Sequence, residues 1–277
     1  MSSCVLHHGD CLDILPTIPD ASVDLVLTDL PYGSTNLPWD EVVPMGPLFE
    51  QIRRVLTPTG TFITTSAGLF TGKLMMAAPD LYKYSLVWHK SRATGHLLAK
   101  RRPMLQHEDV VVFSKGTTVH PGQSPIPMTY NPQGLLDLDE PRISRNGKQS
   151  GLYNNNGQTG PRNGFTAEGY ASFNGKRVLA KEDVRTQTVT GYPNSILDFK
   201  SVHKPVHSTQ KPVDLFEYLI RTYSNEGDTV LDPTMGSGTT GVAAWNAKRD
   251  FIGIEMTDKY FQIASERINE VSSILPR

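Results

Sequence analysis

Apolar residues recur along this chain in two ways. Short runs rich in Val, Ile, Leu and Phe predict strands at 4–8, 23–28, 60–65, 84–89, 109–113, 229–232 and 250–254, and recurrences near helical spacing predict helices over 47–56, 69–78, 212–223, 241–247 and 259–271. Asp258 is a start signal for the last helix, and Pro58 and Gly60 punctuate a helix-to-strand turn. Strands and helices alternate on both sides of a long polar interruption. That alternation argues for parallel pairing with helices on both faces. The expected architecture is α/β: a doubly wound, mostly parallel seven-stranded sheet, with a ligand crevice at the carboxyl ends of its strands. No internal repeat is present.

The run 23–28 ends in Asp29-Leu30-Pro31-Tyr32, which joins a carboxylate, a rigid backbone and an aromatic face. A ring drawn out of a nucleic-acid stack needs an acceptor for its exocyclic N–H groups, main-chain carbonyls at fixed angles, and an aromatic surface to replace the lost stacking. These four residues offer all three. Alone, the segment reads equally well as an ordinary turn after a strand.

A second element changes that weighing. Residues 227–245 read as a short buried strand, a Gly-rich turn and the start of a helix. Gly236 and Gly238 permit positive φ and close approach of a ligand to the backbone, while Ser237, Thr239 and Thr240 can cap the helix. A phosphate-binding loop would need a lysine after Gly238, and none follows. Gly241 supplies the third glycine of a dinucleotide pattern, but Asp232 stands where it would repel pyrophosphate. An acid there suits a cationic ligand carrying an ammonium and a sulfonium. The run 250–254 leads to Glu255, placed to accept hydrogen bonds from a ribose diol. An adenosyl ligand with a positively charged tail follows.

Together these elements resemble the amino-methylating DNA methyltransferases of the permuted, beta-type order, which use S-adenosylmethionine; the resemblance spans nearly the whole chain. Asp29-Leu30-Pro31-Tyr32 resembles the family's Asp-Pro-Pro-Tyr catalytic tetrad. Asp232-Pro233-Thr234-Met235-Gly236-Ser237-Gly238-Thr239-Thr240 resembles its Asp-Pro-Phe-x-Gly-Ser-Gly-Thr-Thr cofactor loop. His207-Ser208-Thr209-Gln210-Lys211-Pro212 resembles the His-x-Thr-x-Lys-Pro element, which implies contact of Ser208, Thr209 and Lys211 with the cofactor's amino-acid end. Gly9-Asp10-Cys11 resembles the strand end whose carboxylate meets the cofactor adenine. Leu30 departs from the usual proline. The family uses that residue's main-chain carbonyl, so the acceptor remains while the φ restraint loosens.

The resemblance implies a Rossmann-like methyltransferase fold with one antiparallel strand, in which the strands ending in Asp29 and Asp232 lie side by side. It implies a catalytic half over 1–114, a target-recognition insertion over 115–200 and a cofactor half over 201–277. The implied activity is site-specific methylation of adenine N6 on a flipped base in double-stranded DNA, because the family tends to carry Asp for adenine and Ser for cytosine at the tetrad's first position. Cytosine N4 is the alternative, and a protein glutamine amide or RNA a further one. A non-catalytic nucleic-acid module or a nicotinamide oxidoreductase would keep a similar pocket. The intact tetrad argues against the first, and Asp232 with the Lys-Pro element against the second.

Charge adds a partner. The net charge is only -1, but residues 142–185 hold eight basic residues against three acidic ones. Arg142, Arg145, Lys148, Arg162, Lys176 and Arg177 there, and Arg92, Lys100, Arg101 and Arg102 in the stretch 90–102, are the candidate DNA contacts. Gly, Asn, Ser and aromatic residues interleave with the first group, a mixture suited to phosphate and base-edge contacts and equally to a solvated insertion. The chain shows no membrane span and no basic start followed by an apolar stretch, so a cytoplasmic enzyme is expected. Cys4 and Cys11 read as reduced thiols, and no His–Cys spacing suggests a metal. A two-fold homodimer would suit a palindromic site.

Overall fold

The computed structural model describes residues 3–33, 40–119, 124–145, 184–206 and 209–274. In chain order the elements are β1 (Cys4–His8), α1 (Cys11–Ile14), β2 (Val23–Thr28), α2 (Met45–Val55), β3 (Leu56–Ser66), α3 (Leu69–Ala77), β4 (Tyr82–Thr94) and β5 (Leu105–Ser114). There follow β6 (Leu136–Arg145), β7 (Val184–Thr190), β8 (Ile196–Phe199), α4 (Val213–Tyr223), β9 (Thr229–Asp232), α5 (Thr239–Asn246), β10 (Asp250–Glu255) and α6 (Asp258–Ile274). All the expected strands form, and every expected helix forms within a few residues of its expected ends.

The main sheet has eight strands rather than seven, in the order β1-β10-β9-β2-β3-β5-β4-β8. The added strand is β8, which pairs parallel with β4 from Val87↔Ile196 to Lys90↔Phe199. It gives no apolar run, since only Leu197 of its four residues is buried. β5 runs antiparallel to both β3 and β4, whereas the other pairings are parallel.

The chain divides into two compact units, Met1–Gln133 with Asn194–Arg277, and Gly134–Pro193. The second is shorter than the expected insertion. Residues 115–119 and 124–133 stay with the sheet because they are tied to it: Met128 is buried in the core, and Asn131 N–H donates to Thr222 O at 2.7 Å. Within the second unit the described residues form an antiparallel pair, β6 with β7, running from Leu136↔Thr190 to Arg145↔Val184.

Strands covered on both faces must be apolar on both faces, which is why β2, β5 and β9 read as continuous runs. Leu25, Leu27, Val110, Val112 and Val230 point to the face covered by α4, α5 and α6. Their neighbours Val26, Val111, Phe113 and Leu231 point to the face covered by α2 and α3. The covering helices are amphipathic in step: α2 buries Leu48, Phe49, Ile52 and Val55, and α4 buries Leu215, Phe216, Leu219, Ile220 and Tyr223. β2 and β9 are neighbours, with Leu25↔Val230 and Val26↔Leu231 in register. From this pair the strand order proceeds outward in opposite directions, so a crevice opens past their carboxyl ends.

Candidate active site

Two acids flank that crevice. Asp29 follows the last residue of β2, and Asp232 is the last residue of β9. Thr28 Oγ1 and Thr234 Oγ1 share a hydrogen bond at 2.7 Å, tying the end of β2 to the Gly-rich turn. The cleft beyond them has a volume of about 800 Å³ and is lined by both motifs.

On the β2 side, Asp29 collects donors from three directions. Thr65 of β3 donates to Oδ1, Tyr32 Oη donates to the same oxygen at 3.0 Å, and Lys211 Nζ donates to Oδ2 at 2.6 Å. Lys211 also pairs with Glu108 Oε2 at 3.4 Å, and Lys90 Nζ donates to Glu108 Oε1 at 3.1 Å. Burial would push the Lys211 ammonium down, but Asp29 and Glu108 reverse this and hold it above the ordinary lysine range. Glu108 mirrors it: burial would raise its carboxyl, but Lys211 and Lys90 hold it low. The Tyr32 hydroxyl is pushed well up by burial and by the charges of Asp29 and Glu108. Its ring stacks on Phe70 with centroids 5.0 Å apart, and Lys211 Nζ lies 5.7 Å from its centroid. Leu30 is buried with the core on the α2 and α3 side, and both Leu30 and Pro31 line the cleft.

On the β9 side, Asp232 is buried, accepts the Thr234 N–H at 3.0 Å and accepts the Thr240 hydroxyl. Burial pushes its carboxyl up to about 7, against the hydrogen bonds from Thr240, Thr28 and the Thr234 amide. Glu255 accepts from Gly236 N–H at 3.0 Å and Thr257 N–H at 2.8 Å, and it lines the wall. Gly236 and Gly238 both adopt positive φ, at 51° and 79°. Pro233, Thr234, Gly236, Ser237, Thr239 and Thr240 all line the cleft.

Three expectations are corrected. Gly238 does not line the cleft; a Cβ there would stand 2.9 Å from Ala264 Cβ, so its bareness serves the approach of α6. The hydroxyls of the turn do not cap α5, whose N-cap is Gly238 with no side-chain bond: Thr240 is drawn to Asp232, and Ser237 Oγ accepts from Arg267 at 3.1 Å. Lys211, expected at the cofactor's amino-acid end, lines the cleft with its ammonium paired to Asp29 and Glu108. Lys90, at the start of the second basic stretch, is buried against Glu108 rather than open to a partner.

Among the other candidates, Asp10 and Cys11 line the cleft. Asp10 caps α1 by accepting the Leu12 N–H at 2.8 Å, and burial pushes the Cys11 thiol up to about 12. Cys4 and Cys11 are free thiols. Thr209 lines the cleft, while Ser208 lies outside the described residues. Arg92 lines its mouth; Lys100, Arg101 and Arg102 are exposed on the β4–β5 connection, and Arg142 is exposed on β6. Arg145 lies on β6, with its side chain outside the described residues, as are Lys148, Arg162, Lys176 and Arg177 entirely. Among the described residues no group of three or more His, Cys, Asp or Glu is arranged to hold a metal ion, and no helix is long and apolar enough to cross a membrane.

The sequence pattern singles out neither Glu108 nor Thr65 as part of this site. The available signal was a Lys and a Glu set into buried strand positions: Lys90 faces inward two residues after Trp88, and Glu108 precedes the apolar run of β5.

Comparison with known proteins decides the family, because the family described as DNA methylase matches residues 23–266. The chain belongs to it. Among curated relatives of this DNA methylase is the type II methyltransferase M.HinfI of Haemophilus influenzae, 46% identical over an alignment covering 95% of this chain and 67% of the relative. Another, the DNA adenine methyltransferase YhdJ of Escherichia coli, is 27% identical over 96% of this chain and 82% of the relative. Among solved structures, the M1.HpyAVI complex with SAM shares the methylase's fold, with a TM-score of 0.56 at 21% identity, covering 95% of this chain and 99% of that one.

Proposed function

We propose that this chain transfers a methyl group from S-adenosylmethionine to adenine N6 of a base flipped out of double-stranded DNA. The observation that carries the proposal is the meeting of the Asp29 tetrapeptide and the Gly-rich turn in one cleft, from strands whose paired positions lie 205 residues apart. Support for the donor comes from the lining. A cleft of about 800 Å³ is of the size that holds small-molecule ligands. Asp232 and Glu255 offer acceptors, and the start of α5 offers main-chain amides for a carboxylate. When bound, S-adenosylmethionine supplies an electrophilic methyl on a positively charged sulfur.

The chain's own residues do the rest. Asp29 accepts the N–H of the target amine, which favours the pyramidal nitrogen whose lone pair can attack. Thr65 and Lys211 keep that carboxylate aimed. Tyr32 borders the same carboxylate and presents its ring to the base. Arg92, Lys100, Arg101 and Arg102 hold the DNA backbone, and Arg142 of the second unit is a separate candidate phosphate contact. Asp29 favours adenine over cytosine, and a relative named for adenine methylation supports the choice. A two-fold dimer on a palindromic site is part of the proposal and is checked by sedimentation with and without DNA.

The deciding experiment expresses the chain in a host lacking DNA methylation and maps modified bases by single-molecule sequencing. N6-methyladenine at one recurring sequence is the expected result. N4-methylcytosine would move the target to the alternative base, and labelled methyl on protein with none on DNA would overturn the reading.

A further inference from the structure

β5 is the reversed strand of the main sheet, so its amino end lies where its neighbours have their carboxyl ends. Glu108, near that amino end, is thereby delivered to the same rim as Asp29 from β2 and Lys90 from β4. The four side chains form an alternating row. Lys90 Nζ meets Glu108 Oε1 at 3.1 Å, Glu108 Oε2 meets Lys211 Nζ at 3.4 Å, and Lys211 Nζ meets Asp29 Oδ2 at 2.6 Å. All four are largely removed from water, with side-chain exposures of 11%, 16%, 7% and 22% in that order. Tyr32 Oη lies 3.4 Å from Glu108 Oε2 and 3.0 Å from Asp29 Oδ1, closing the row from one side.

Buried charges of this kind are stable only when each is matched. Two ammoniums and two carboxylates balance here. Take away the negative charge of Glu108 and Lys90 loses its ion-pair partner, while Lys211 is left with Asp29 alone. Lys211 is then free to slide along the Asp29 carboxylate, whose Oδ1 is the atom left facing the tyrosine and threonine hydroxyls.

We propose that Glu108 is a positioning residue for methyl transfer: it fixes Lys211 at one oxygen of Asp29 and so sets the direction in which that carboxylate meets the target amine. The proposal rests on Asp29 being the acceptor of that amine. The groups facing Lys211 are Asp29 and Tyr32 from the segment after β2 and Glu108 from β5, with Lys90 of β4 beyond Glu108. With one of its two carboxylates neutralised, the Lys211 ammonium loses its proton at lower pH.

The test uses the full chain carrying Glu108→Gln and, separately, Glu108→Asp, with transfer of labelled methyl from S-adenosylmethionine to DNA as the assay. Glu108→Gln is expected to lower kcat roughly 10- to 100-fold, the scale of a misplaced catalytic group, with KM for cofactor and DNA within about twofold. Its kcat is also expected to decline earlier than wild type as pH rises. Glu108→Asp keeps the charge and is expected to recover part of kcat and the wild-type alkaline behaviour. A Glu108→Gln enzyme within twofold of wild-type kcat would overturn the proposal. So would equal losses in both variants with a lowered Tm and an unchanged pH profile, which is the signature of a purely structural role. Asp29→Ala separates the two readings: if it remains active, the acceptor assignment fails, whereas a dead Asp29→Ala beside a fully active Glu108→Gln removes this inference alone.

Discussion

Three donors from three separate elements converge on Asp29, which makes its direction a property of the surroundings rather than of its own rotamer. Asp29→Ala is therefore expected to abolish methyl transfer while cofactor and DNA binding persist, with turnover within a few fold of wild type as the contrary result. Tyr32→Phe keeps the ring and loses the hydroxyl bonds to Asp29 and Glu108, whereas Tyr32→Ala loses both. The alanine variant should weaken binding of DNA with an extruded base by about 1–3 kcal/mol, the worth of one stacked base, measured by titration. Asp232 adds a pH signature. Its folded carboxyl is raised to about 7 by burial, so the folded state holds a proton that the unfolded chain has already lost. The stability this group contributes is fully present below the ordinary Asp range and is lost as pH rises through about 7. Denaturation across that window should show the decline in wild type and a flatter curve in Asp232→Asn. At this scale the sequence was legible where chemistry and backbone type coincide in a few adjacent residues, as at Asp29-Leu30-Pro31-Tyr32. It was mute on partners supplied from afar. Lys211 was visible, but that it would lie against Asp29, 182 positions away, is a fact of the sheet alone.

Elements were legible in proportion to their burial. β2, β5 and β9 are sandwiched between helix layers and read as apolar runs, while α2 and α4 bury one stripe each and read at helical spacing. β8 buries one residue, and β6 and β7 are largely exposed and polar, so no run announces them. Strand direction has no sequence signal either. The rule that functional acids stand at the carboxyl ends of strands found Asp29 and Asp232 and passed over Glu108, because β5 runs the other way. At the turn before α5, a substitution tests how closely two helices depend on one glycine. Gly238→Ala would force a Cβ to within 2.9 Å of Ala264 Cβ at a φ of 79°. The expected destabilisation is about 1–3 kcal/mol, read by denaturant unfolding, and an unchanged midpoint would contradict the packing account.

Across the whole molecule, a net charge of -1 conceals an uneven distribution, and binding should follow the local charge. Reversing Arg101 and Arg102 to Glu is expected to weaken DNA binding at every sequence and to flatten its dependence on salt by roughly one unit of slope per lost phosphate contact, with kcat at saturating DNA little changed. The neighbouring strands β2 and β9 carry a larger implication. Each brings one wall of the cleft, and the 134–193 unit lies between them in sequence as a separate compact unit. A chain severed within that unit would yield two fragments, each holding half of a binding site and neither able to modify DNA by itself. Fused to a pair of interacting proteins, such halves would write a methyl mark only where and when the pair had met, leaving a chemical trace of the encounter on DNA.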